Sequence, residues 1–124
     1  MPRPAGQRSA PRHVTLNLTF PPLAADLDGV AVHVRVEDVG EADAPARPLL
    51  QRDFQDVRVA RDARKATLEI DVPDLGDAAL PAVRVHVDRT GAGAIRPGDF
   101  INPAIVEVPD DPRRPCRIDL IEVR

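Results

Sequence analysis

The sequence predicts an all-β chain: an antiparallel two-sheet β-sandwich, immunoglobulin-like, with about seven strands. Two observations carry this. Val30, Val32, Val34 and Val36 fall on one face of an extended segment, and Ala31, His33, Arg35 and Glu37 on the other, which is the period of a half-buried strand. Similar alternating runs recur, separated by Pro- and Gly-bearing turns, and no stretch repeats at helical spacing. Without crossover helices a parallel sheet cannot be wired, so the strands are expected to pair antiparallel. A closed barrel is the alternative arrangement, and the absence of a Cys…Trp…Cys pattern argues against a true immunoglobulin domain.

The elements follow in order. Residues 1–13 carry Arg3, Arg8 and Arg12 with no acid and read as a disordered basic arm, which leaves residues 14–124 as the β-sandwich domain. Val14, Leu16, Leu18 and Phe20 alternate in the first strand, which Pro21 and Pro22 stop. Ala24 to Gly29 is a turn, and the valine strand runs from Val30 to Asp38. A polar connector closed by Pro45 and Pro48 leads into Leu49 to Val59, where Leu50, Phe54 and Val57 are apolar at irregular spacing. Ala60 to Lys65 is a charged turn, and Ala66 to Val72 alternates again, ended by Pro73. Val83, Val85 and Val87 alternate with Arg84, His86 and Asp88. In the run from Phe100 to Val108, Pro103 marks an edge strand or a bulge. The last run, Cys116 to Val123, has Ile118 and Leu120 on one face and Ile121 and Val123 on the other, so it requires a bulge or burial of both faces.

Composition bounds the function. At 124 residues the chain buries one core, and with three Phe and no Tyr or Trp that core is built from Val, Leu, Ile and Ala. Aromatic anchoring and base stacking are thereby ruled out as binding modes. Seventeen basic against 20 acidic residues give no basic excess, so nucleic acid is not an expected partner. The single Cys116 excludes an internal disulfide and reads as a small buried or half-buried thiol. No apolar run reaches the length of a transmembrane segment, and no signal peptide or early lipid-bearing Cys follows the arm, so the expected location is cytoplasmic.

A first strand closed by two prolines, then the valine strand running into Glu37-Asp38-Val39 and the Ala-Asp-Ala-Pro-Ala of residues 42–46, resembles the YbaY/YscW-like family. That family includes the type III secretion lipoprotein chaperones, or pilotins. The resemblance extends in order over roughly residues 14–124. It implies a β-sandwich without enzymatic activity and a protein partner; members are usually exported lipoproteins, and the pilotins assist assembly of an outer-membrane secretin. It carries over no site residues.

Residues capable of chemistry are sparse. Asp88 to Asp99 falls in the frame of a twelve-residue calcium loop, with Asp88, Thr90 and Asp99 as its candidate metal ligands and Gly93 at the sharp turn. Ala92 replaces one required oxygen ligand, so the segment reads as a Gly-rich connection in which Gly91 and Gly93 supply positive φ. His33 and His86 lie on outward faces and meet across the sheet if their strands are neighbours, although spacing places no third ligand and outward histidines are ordinary on a solvated face. Ser9 stands in the arm and Cys116 has no identifiable base, so nucleophilic catalysis has no basis. The cluster Arg58, Arg61, Arg64 and Lys65 could bind an anionic partner, although a charged turn between strands explains it without a ligand. The expectation is therefore a non-catalytic protein-interaction module without a cofactor or resident metal, binding by face packing or by strand addition near Phe100 to Val108. A cation- or small-ligand module built on the 88–99 loop is the alternative.

Overall fold

The computed structural model describes residues 11–40, 44–75, 78, 80–111 and 113–124. Within them the chain forms β1 (Arg12–Thr19), β2 (Leu27–Asp38), β3 (Arg47–Val59), β4 (Lys65–Val72), β5 (Pro81–Asp88), β6 (Phe100–Ile101), β7 (Val106–Glu107), β8 (Cys116–Asp119) and β9 (Ile121–Glu122). They form two sheets ordered β4-β1-β8 and β3-β2-β5-β6-β9, with β7 also on β5. No helix among the described residues is long and apolar enough to cross a membrane.

The strand alternation determines the packing. Val32, Val34 and Val36 of β2 are 0, 1 and 0% exposed, and Leu16, Ile70 and Ile118 of the smaller sheet face them at 1% or less. Each such aliphatic side chain contributes roughly 1.5–3 kcal/mol by leaving water. Phe20, just after β1, meets Phe100 of β6 edge-to-face at 5.3 Å, joining the two sheets within the core.

Several expectations are adjusted. Strand β1 takes in Arg12 and His13, the last two residues assigned to the basic arm, while residues 1–10 lie outside the described residues, as do Ala42 and Asp43 of the 42–46 stretch. Strand β2 starts at Leu27, inside the expected turn, because Leu27 itself is buried and pairs Val59. Pairing is antiparallel except between β1 and β8, which run parallel from Leu16↔Cys116 to Thr19↔Asp119. That exception needs no crossover helix, because the chain reaches β8 only after traversing the opposite sheet. Phe100 to Val108 is interrupted at Pro103 as expected, but Phe100–Ile101 is bonded on both sides, by β5 and β9, and is no free edge. Among the described residues the long edge is β3, which pairs β2 alone.

The amide of Asn102 closes the gap left by that interruption. The Val85 N–H donates to Asn102 Oδ1 at 2.7 Å, and Asn102 Nδ2 donates to the carbonyls of Val83 at 2.9 Å and Ala104 at 3.2 Å. A side chain thus replaces the missing ladder between β6 and β7 on an inner strand, where an unpaired peptide group is costly.

Candidate functional site

The site lies on the outer face of the larger sheet. Register places His33 of β2 directly opposite His86 of β5, and the rings stand 5.4 Å apart and tilted by 43°. Asp53 of β3 lies across from His33 on the other side. Asp88 ends β5, and Asp99 immediately precedes β6.

The connection from Asp88 to Asp99 is folded around its own terminal carboxylates. Asp88 Oδ1 accepts the Gly91 N–H and Oδ2 the Gly93 N–H, both at 2.9 Å. Asp99 Oδ1 accepts the Arg89 N–H and Oδ2 the Arg96 N–H, both at 3.0 Å. Gly91 and Gly93 have φ of 74° and 86°, and a Cβ at either would meet open space, so it is the backbone conformation and not room that requires glycine here. The C-terminal segment holds the far end: the Val123 N–H donates to the Asp99 carbonyl at 2.7 Å, and the Gly98 N–H to the Val123 carbonyl at 2.8 Å.

Both carboxylates also face an imidazole. His86 Nε2 is 2.7 Å from Asp99 Oδ2, and His33 Nε2 is 3.1 Å from Asp88 Oδ2. The second nitrogen of His33, Nδ1, is 2.7 Å from Asp53 Oδ1. The Asp88 and Asp99 side chains are each 1% exposed, against 12% for His86 and 25% for His33. Burial opposes ionisation of Asp88, but the Gly93 and Gly91 N–H groups and His33 outweigh it and hold the carboxyl down at about 2. Asp99 is likewise lowered despite burial, by His86 and the Arg89 and Arg96 N–H groups. Burial disfavours a charged His33, yet its bonds to Asp53 and Asp88 prevail and raise it above 6.5.

Beside this network a surface cavity of about 390 Å³ is lined by His33, Arg35, Arg84, His86, Ile95 and Ile101, among others. The two guanidinium groups are turned toward Glu37, at 2.6 Å from Arg84 Nε and 4.0 Å from Arg35 Nη1.

Asp88 and Asp99, singled out from the sequence, thus come together, with His86 as the third potential ligand, their donor atoms within 4.8 Å of one another. Thr90 stays on the exposed turn. Gly91 and Gly93 have the positive φ expected of them. Asp53 had no signal in the sequence beyond lying in the irregular run of β3. Burial pushes the Cys116 thiol up to about 11, so at neutral pH it is protonated and a poor nucleophile. Of the basic cluster, Arg58 near the end of β3 pairs Asp28 at 3.2 Å, and in the β3–β4 turn the Arg61 N–H donates to Asp26 at 2.7 Å.

No protein-family model matches the chain, and no curated protein matches it. Among solved structures it is similar to an alternative pilotin from the type II secretion system of Vibrio cholerae, with a TM-score of 0.61 and 22% identity, over 92% of this chain and 98% of that one. At that identity the likeness is one of fold.

Proposed function

We propose that the chain is a non-catalytic protein-interaction module of the YbaY/YscW-like, pilotin-like kind, acting in a chaperone-like way on a protein partner. Its fold likeness to an alternative pilotin over nearly the whole of both chains supports the class of function. The observation that carries the mode of binding is β3: 13 residues that, among the described residues, are bonded to β2 on one side only. An open edge of that length presents a row of unpaired N–H and C=O groups, to which an extended segment of a partner adds as one more strand.

The test is site-specific photo-crosslinking in cells. A photoreactive residue at Arg52 or Gln55, both exposed on β3, should give an adduct with one defined protein. The same group at Arg113, on the turn before β8 at the edge of the smaller sheet, should give none. Adducts of equal yield at all three positions, or at none, would overturn the β3 reading.

A further inference from the structure

The hydrogen atoms available on the outer face do not suffice for the contacts made there. A neutral imidazole has one N–H and one lone pair, yet both nitrogens of His33 face carboxylate oxygens, Asp53 Oδ1 at 2.7 Å and Asp88 Oδ2 at 3.1 Å. With a proton on Nδ1 for Asp53, the Nε2 lone pair points at an acceptor, and something positive has to stand between them. Two carboxylates 1% exposed lie beneath this point, and the nearby Arg35 and Arg84 are turned to Glu37. A second proton on His33 is one solution; a cation is the other.

We propose that His86, Asp88 and Asp99 bind a divalent transition-metal ion such as Zn²⁺, with His33 as the fourth ligand. The three donors already lie within 4.8 Å of one another. The His33–Asp88 separation of 3.1 Å is near the ~3.3 Å between donors around a tetrahedral zinc with bonds of about 2.0–2.1 Å, and the His86–Asp99 pair, hydrogen-bonded at 2.7 Å without an ion, has to open to a similar spacing to admit one. Two imidazoles and two carboxylates give a neutral complex with a doubly charged ion, and nitrogen donors select against calcium and magnesium.

The surroundings match what such a site requires. The backbone N–H groups of Arg89, Gly91, Gly93 and Arg96 hold the two carboxylates in place. Asp53 on His33 Nδ1 forms the carboxylate–histidine–metal arrangement, fixing the tautomer that leaves Nε2 free to ligate. The cavity lined by both histidines gives an ion its way in. Binding releases the proton that His33 Nε2 and Asp88 otherwise share, and the Nε2 hydrogen that His86 directs at Asp99 moves to Nδ1 as the other tautomer, so that both imidazoles ligate as neutral rings.

The test titrates the chelator-treated full chain with Zn²⁺, following heat and melting temperature, and with Co²⁺, following visible absorption. One ion per chain is expected, with a chelator-reversible rise in melting temperature and the intense bands of four-coordinate cobalt. His86→Ala should abolish binding. Asp53→Asn, at a half-exposed position on β3, should weaken it ~10–100-fold, the usual effect of losing a group that orients a ligand. His13→Ala should change nothing, although exposed His13 also lies between two carboxylates, Glu69 at 3.3 Å and Asp71 at 2.9 Å. Absence of saturable binding, binding that survives His86→Ala, or binding lost with His13→Ala overturns the proposal. Should His86→Ala fail to fold, an unchanged affinity in Asp53→Asn overturns it equally.

Discussion

His33 and His86 face each other across neighbouring antiparallel strands with ring centroids 5.4 Å apart, and each imidazole rests on a buried aspartate. Five side chains from β2, β3, β5 and the loop between β5 and β6 thus form one connected polar network on a sheet face. Such a network rigidifies the fold only while every partner is satisfied, so protons and charges should be legible in stability.

Metal-free protein should lose stability as pH rises above 6.5. The folded state raises the His33 pKa above 6.5, so the protonated ring binds its proton more tightly when folded. That contribution is fully present below 6.5 and disappears as pH passes through the raised value. Melting temperatures from pH 5 to 9 in chelator should show the decline in wild type, and a smaller one in His33→Gln. Equal slopes would show that the proton on His33 is not held by the fold.

At the acid end the sign reverses. Asp88 is lowered from 3.8 to about 2, so its contribution is complete above 3.8 and is lost as pH falls toward 2. Amide exchange should show the Gly91 and Gly93 N–H groups, whose acceptor is this carboxylate, losing protection across that window before the β2 amides do. Simultaneous loss in both would mean that the loop and the core unfold as one unit.

How far the sequence reached depended on whether one side chain's position follows from its neighbours. The valines of β2 and β5, and Leu16 and Leu18 of β1, are where alternation puts them, because a period of two and a single buried face leave one register. The run from Cys116 to Val123 had apolar residues on both faces for a reason periodicity cannot express: at Leu120 the chain leaves β8 in one sheet for β9 in the other. Leu120 is 4% exposed while Ile121 is 46% exposed. The β2–β3 irregularity was visible as uneven spacing of Phe54 and Val57, and its cause is a bulge at Asp56, which has a φ of 55°. The meeting of His33 and His86 depended on strand order, which the sequence left open. Asp53 was invisible because it reaches the site through that order and not through any motif.

The core prediction concerns β2. Val34 is 1% exposed, pairs Arg52 on one side and Val85 on the other, and belongs to the buried apolar core. Val34→Asp would put an unpaired carboxylate there, with a cost of at least ~4 kcal/mol, a large share of a typical domain's stability. Most of the variant should be insoluble or unfolded by circular dichroism. Soluble protein melting at the wild-type temperature would contradict the packing of β2.

The last prediction isolates Asn102. The residue is 7% exposed, and its amide serves three backbone groups of β5 and the β6–β7 connection. In Asn102→Ala the Val85 N–H and the Val83 carbonyl lose their partners on the inner side of a strand, at about 1–3 kcal/mol for each group left unsatisfied. Asn102→Asp separates the two: its carboxylate still accepts from the Val85 N–H but faces the Val83 and Ala104 carbonyls, acceptor against acceptor, with a buried negative charge added. Urea denaturation should therefore rank wild type above Ala, and Ala at or above Asp at neutral pH. The Asp variant should recover part of its loss below pH 4, where a protonated carboxyl can donate to Val83. A Val83 and Val85 ladder that tolerates both changes would mean that β6 and β7 close over the gap without the side chain, and that Asn102 only occupies space between them.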